Sequence, residues 1–174
     1  MKFQRRKFEL GFVSVEVIFV VAVVLGLLAL GASKTGILSG GADATEELSN
    51  IQALYSATKE LKTASGYGSN GANLVSQLSA TDSFPKNIAF VSSVPKNVFG
   101  GTITINSTGS GFTIGEDTLP QKACVQLATK ISRGGTFSTV SINGSAYSGE
   151  VTSAQASSAC VSGSTNSVIW TSVS

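Results

Sequence analysis

An apolar run near the N-terminus constrains this chain more than any other feature. Between Phe12 and Ala32 there is one ionisable residue, Glu16, and fourteen of the twenty-one residues are Val, Leu, Ile or Phe. At about 1.5 Å of rise per residue such a run makes a helix of roughly 31 Å, close to the thickness of a bilayer's hydrocarbon core. Fourteen residues of this kind favour insertion by about 4 to 8 kcal/mol, against about 3 kcal/mol for one carboxylate at mid-helix. The run therefore reads as membrane-inserted with Glu16 inside it. An ionisable group in that setting marks a functional position and needs a partner.

The residues ahead of the run suggest where that partner comes from. Residues 1–11 carry four bases (Lys2, Arg5, Arg6, Lys7) and one acid, Glu9. These charges hold the N-terminus in the cytoplasm and send the rest outward. A secretory signal would close its apolar core with a small-residue cleavage site. No Ala-x-Ala-type site closes this one; the small residue Gly11 precedes the core instead. Cleavage after Gly11 would keep the apolar helix on the mature protein, expose the amine of Phe12 and make Glu16 the fifth residue. The plainer reading is a signal anchor with a stray Glu.

A short basic leader, Gly11, a large hydrophobic residue at Phe12, Glu16 and the long apolar run together resemble a type IV prepilin. The resemblance implies that a prepilin peptidase cuts after Gly11 and N-methylates Phe12. It also implies that Glu16 neutralises the terminal amine of a neighbouring subunit during assembly. The physics is compatible: a carboxylate and an amine in a helix bundle attract, each is costly to bury alone, and methylation keeps the amine's charge. Further along, Asn97-Val-Phe-Gly-Gly101, Leu119-Pro-x-x-Ala-Cys124 and Cys160 ahead of a C-terminal segment with Trp170 look like the type IVb pilins of conjugative thin pili and enteric adherence pili. Phe12 as the leading residue is more usual of the type IVa branch; the wide cysteine loop and the helix it enters point to IVb.

The division this implies is a leader over 1–11, a transmembrane and fibre-core helix over 12–39, and a globular domain over 40–174. The expected fold is α+β: a long N-terminal helix on an antiparallel sheet, with a disulfide-closed C-terminal region. The expected function is that of a major pilin, a structural subunit of an extracellular filament serving adherence, aggregation or conjugation. The precursor is expected in the inner membrane. The implied partners are the prepilin peptidase, identical subunits, the assembly machinery in the inner membrane, and a receptor on a host or recipient cell. Two alternatives stand beside this: a minor pilin or type II secretion pseudopilin, and a membrane-anchored receptor-binding module.

Composition narrows the chemistry. The chain has no His, which removes Ser-His and Cys-His catalysis and His-based metal sites. No catalytic residue, metal or cofactor is expected. Without the leader the side chains carry 8 bases and 9 acids, a net charge of −1, so nucleic-acid binding has no electrostatic support. Asp82, Glu116, Asp117 and Glu150 could hold a cation only if folded together; scattered solvated acids are the commoner arrangement. Asn106-Ser-Thr108 and Asn143-Gly-Ser145 match a glycosylation sequon but read as turn residues. The two cysteines, Cys124 and Cys160, read as a disulfide in a translocated domain. Two free thiols are the alternative, and a redox pair would lack the usual CxxC spacing.

The pattern of elements follows. Asp43 with Glu46 looks like a capping box, and Leu48, Ile51, Leu54, Tyr55 and Leu61 recur at helical spacing. The spine helix is expected from about Phe12 to Ala64, softened by Gly26, Gly31, Gly36 and, most of all, Gly40-Gly41. A short helix is expected over Asn73 to Leu78 and a short strand over Ile88 to Val91. A hairpin is expected from Thr102–Asn106 through Thr108–Gly111 to Phe112–Ile114. Pro120 suits the first position of a helix that carries Cys124, Leu127, Ala128 and Ile131 on one face and ends at Gly134-Gly135. Strands are expected over Phe137–Ile142, before an Asn143-Gly144 turn, and over Ser167–Val173.

Overall fold

The computed structural model describes residues 36–172. Gly11, Phe12, Glu16 and the apolar run through Ala32 lie outside the described residues, as do Gly26 and Gly31. Among the described residues, no helix is long and apolar enough to cross a membrane. From Ser39 onward the chain forms one compact unit.

Helix α1, Gly36–Glu60, is continuous through Gly40-Gly41. The capping box expected at Asp43 and Glu46 does not form, because both residues lie inside the helix. Glu46 instead accepts a hydrogen bond from Asn87 Nδ2 at 2.7 Å. The buried face of α1 comprises Ala44, Glu47, Asn50, Ile51, Leu54 and Thr58. Full burial of Ile51 and Leu54 contributes roughly 1.5–3 kcal/mol each. Leu48, Tyr55 and Leu61 flank that stripe, half-buried, and Tyr55 stacks on Phe112 and Phe137 with ring centroids 5.6 and 5.0 Å away. The helix stops at Glu60, earlier than expected, and a bridge between Thr63 and Gly66 turns the chain.

Helix α2, Val75–Ala80, follows, with Asn73 Oδ1 accepting the Val75 N–H at 2.8 Å. A separate two-stranded ribbon comes next, β1 (Ala89–Val91) and β2 (Val94–Lys96). The remaining elements are β3 (Ile103–Ser107), β4 (Phe112–Leu119), α3 (Gln121–Arg133), β5 (Thr139–Ile142), β6 (Ser145–Ser148), α4 (Ser153–Ala159) and β7 (Asn166–Ser172). The five strands from β3 onward form one sheet in the order β3-β4-β7-β5-β6, with every pair antiparallel. The C-terminal strand therefore fills the centre of the sheet. Its Trp170 sits between Ile114 and Val140 in register and is fully buried.

Strand alternation explains which faces are covered. Along β7 the pattern places Val168 and Trp170 in the core and leaves Ile169 42% exposed. Along β3, Ile103 and Ile105 point inward. The α3 stripe of Cys124, Leu127, Ala128 and Ile131 is buried as its spacing indicated, although Pro120 is the N-cap and the helix begins at Gln121. A capping box does occur, at α4: Thr152 accepts from Gln155 N while the Gln155 side chain accepts from Thr152 N.

Gly101 holds a close approach that its neighbours require. A Cβ there would overlap the Asp117 carbonyl oxygen and lie 2.8 Å from Asn97 Nδ2. Gly101→Ala is therefore expected to destabilise the fold by about 1–3 kcal/mol, through displaced backbone rather than lost burial. Denaturant titration of the variant against the parent checks this; an unchanged midpoint would show that the approach is looser than described.

Candidate functional site

Two places in the fold depend on polar contacts: the seat of α1 and the C-terminal region. The described residues hold one polar cluster in each place. The first lies where α1 meets the loop ahead of β3 and the far end of β4. Asn97 organises it. Its Oδ1 accepts the N–H groups of Phe99 and Gly101 at 3.1 and 2.8 Å, and its Nδ2 donates to the Asp117 carbonyl at 3.0 Å. Glu47, from α1, accepts the Val98 N–H on Oε2 at 2.8 Å. Glu116, from β4, reaches the same loop and receives a longer bond from Asn97 Nδ2 at 3.4 Å, one residue from the Val98 N–H that Glu47 takes.

Both carboxyls are buried, Glu47 at 0% and Glu116 at 2% exposure. Burial, and then the neighbouring Glu47 charge, hold the Glu116 carboxyl well above the ordinary carboxylate range; Asn97 opposes this and Asp117 adds to it. Glu116 is thus not the scattered, solvated acid that the sequence suggested. The other three acids of that group do not join it as a cation site. Asp117 Oδ1 accepts the Thr102 N–H at 2.6 Å, Glu150 pairs with Arg133 at 3.1 Å on the surface, and Asp82 is exposed in a turn at φ 51°. No group of three or more potential ligating side chains occurs among the described residues.

The second cluster ties down the C-terminal region. Cys124, on the buried face of α3, is bridged to Cys160, which caps the end of α4, with the two Cα atoms 6.1 Å apart. Gln121 Nε2 donates to the Cys160 carbonyl at 2.9 Å. Asn166 completes the tie. Its Nδ2 donates to the carbonyls of Leu119 and Val161, and its Oδ1 accepts from Val161 N and Asn143 Nδ2. One fully buried amide therefore joins β4, the post-α4 segment and the β5–β6 turn. Asn143 has φ 49° and donates to the Ala159 carbonyl, which is the turn role expected of it; Asn106 is a strand residue paired with Thr113.

An open groove of about 780 Å³ lies beside α2, with Val75, Phe84 and Phe90 among its lining residues. Phe90, Val91 and Val94 on the β1–β2 ribbon are exposed, and Phe84 meets Phe90 edge-on at 4.9 Å.

The PilS N-terminal family matches residues 41–173, which includes both clusters. The chain belongs to the PilS family of pilins. It is accordingly a structural subunit of a pilus and not an enzyme. Its crystal-structure relatives include the type IVb pilin of Salmonella typhi, at 27% identity and a TM-score of 0.63 over 72% of this chain and 97% of that one. The solution structure of the type IVb pilin PilS from Salmonella typhi is 31% identical, with a TM-score of 0.50 over 74% of this chain and 95% of that one. TcpA, a type IV pilin of Vibrio cholerae El Tor biotype, shares the fold alone, at 11% identity and a TM-score of 0.56 over 74% of this chain and 98% of its own. No curated protein sequence matches the chain. A PilS-family pilin assembles from identical subunits into an extracellular pilus.

Sequence reasoning missed Glu47, Asn97 and Asn166 as structural centres. Glu47 was readable only as an acid near a helix start. Asn97 had a partial signal, since Asn followed by Val-Phe-Gly-Gly suggests a turn. Nothing local distinguished Asn166.

Proposed function

We propose that this pilin is the major subunit of a type IVb pilus, made as an inner-membrane precursor. A prepilin peptidase cuts it after Gly11, Phe12 becomes the N-methylated terminus, and Glu16 pairs with the Phe12 amine of an adjacent subunit as the apolar helix leaves the bilayer for the fibre core. Head-to-tail contacts that do not close a ring then extend an open filament. The observation that carries this reading is a leader-Gly11-Phe12-Glu16 arrangement ahead of a chain that belongs to a pilin family. The described fold is compatible with it: α1 lies on a sheet whose central strand is C-terminal, and a disulfide closes the region beyond. The fibre serves adherence, aggregation or conjugation through a receptor on a host or recipient cell.

Gly11→Phe is expected to block processing, leaving a precursor that still begins at Met1 and is heavier by the eleven leader residues. N-terminal sequencing and intact mass of the membrane-extracted protein check this. A fully matured variant would remove Gly11 from its role. Immunogold labelling along whole fibres, rather than only at their tips, distinguishes the major subunit from a minor one.

A further inference from the structure

Glu47 and Glu116 are buried against adjacent residues of one loop, Val98 and Asn97, and neither is a cation. As two ionised carboxylates, both would be acceptors only, and each has one oxygen, Oε1, buried without a hydrogen-bond donor. Two negative charges side by side in a dry site repel, and each lacks the water that would otherwise solvate it. One proton resolves both difficulties. It turns one carboxyl into a donor to the other and leaves a single charge; the Val98 N–H already faces Glu47, and Asn97 Nδ2 faces Glu116.

We propose that Glu47 and Glu116 form a proton-held clasp, in which one shared proton fastens α1 to the Asn97–Gly101 loop and the end of β4, and loss of that proton to solvent loosens this seat. The elements packed around the pair supply its surroundings. From β4 comes Asp117, its Oδ1 engaged by the Thr102 N–H. From β2 comes Lys96, whose amine donates to Thr102 Oγ1 at 3.1 Å. From α1 come Glu46, held by Asn87, and Asn50, whose Oδ1 accepts from the same Asn87 amide while its own Nδ2 is buried without a partner. Asn97 and the Val98 N–H complete the set from the loop. The polar seam thus joins α1 to three other parts of the domain, and Glu116 is its titratable point.

The sign follows from proton counting. Glu116 binds its proton more tightly folded than unfolded, so the folded state holds more protons between the ordinary carboxyl value of about 4.3 and the raised value. Stability is then full below about pH 4.3, as far as this pair is concerned, and falls as pH rises through the folded value. The clasp is closed at low pH and weakens as pH rises through the raised Glu116 value.

The test uses the full chain in detergent micelles. Infrared spectra should show the C=O stretch of a protonated carboxylic acid persisting above the ordinary carboxyl range, and Glu116→Gln should diminish it by one carboxyl's share. Hydrogen exchange of amides 98–101, corrected for the intrinsic pH dependence, should accelerate about tenfold for each pH unit crossed within the titration range. In Glu116→Gln, whose amide can donate to Glu47 at every pH, that acceleration should vanish. Should Glu116→Gln fail to fold, Glu47→Gln should move the loss of the protonated-acid band to lower pH, because the Glu47 charge no longer opposes ionisation of Glu116. A protonated-acid band that Glu116→Gln leaves undiminished, or corrected exchange that follows the same pH profile in wild type and variant, overturns the proposal.

Discussion

Glu16→Val is expected to leave the protein in the membrane and to abolish pili. The two halves of that outcome separate insertion from assembly. Insertion should improve, because the substitution removes a carboxylate that opposes partitioning by about 3 kcal/mol and adds another apolar side chain. Assembly should fail, because the terminal amine of Phe12 on a neighbouring subunit would then be buried without its counter-charge. Removing one partner of a buried pair costs about 3–5 kcal/mol. That corresponds to roughly two to four powers of ten in the affinity of each subunit contact. Every subunit in a filament repeats the contact, so the loss recurs along the whole fibre. Membrane fractionation of cells carrying the variant, with electron microscopy of the same cells, reads both halves. Wild-type numbers of fibres from Glu16→Val cells would end the assignment of Glu16 to assembly.

The second large effect is expected from the disulfide. Replacing Cys124 and Cys160 together by Ala opens a loop of 35 intervening residues, worth about 4 kcal/mol on the loop-entropy estimate. The affected region is poorly able to hold itself. Between the cysteines lie the rest of α3, β5, β6 and α4; the first two have core residues, but β6 is an edge strand with no buried residue, and α4 buries only Ala156. Cys160 also anchors the segment that feeds Asn166 into its four hydrogen bonds at the start of β7. The double variant should melt roughly 10 °C or more below the parent, and the parent in reductant should follow it. Thermal unfolding of both proteins with and without reductant gives the comparison. A melting temperature within a few degrees of the parent would mean that Asn166 and the sheet hold the region unaided.

Several elements were legible because one local cause sufficed. Asn143-Gly144 was readable as a turn since both residues adopt positive φ, 49° and 87°, the backbone that a two-residue hairpin demands and that Asn-Gly supplies. Ser92-Ser93 makes the equivalent turn between β1 and β2 at φ 51° and 64°, but Ser seldom adopts it, so no local signal marks the turn into β2. Strand β6, Ser-Ala-Tyr-Ser, has no apolar alternation and exists because β5 offers it an edge to pair with. Helix α4 had a readable start in Thr152-x-x-Gln155, yet its Ser/Ala sequence carries no apolar stripe. The apparent cap at Asp43 misled because α1 was already helical before it.

The amino-acid sequence by itself determined the class of molecule. A membrane-length apolar run, a Gly placed before it and a lone carboxylate within it are statements about composition and spacing, and they are independent of packing. It also determined the buried stripe of α3, since a 3.6-residue period needs no partner to be seen. Tertiary structure alone decided that β7 would enter the middle of the sheet, that Asn166 would bind three segments together, and that Glu47 would face Glu116 from 69 positions away. The reason is physical: the meaning of a carboxyl or an amide depends on whether water, a donor or another acid lies against it, and residues distant along the chain supply that neighbour.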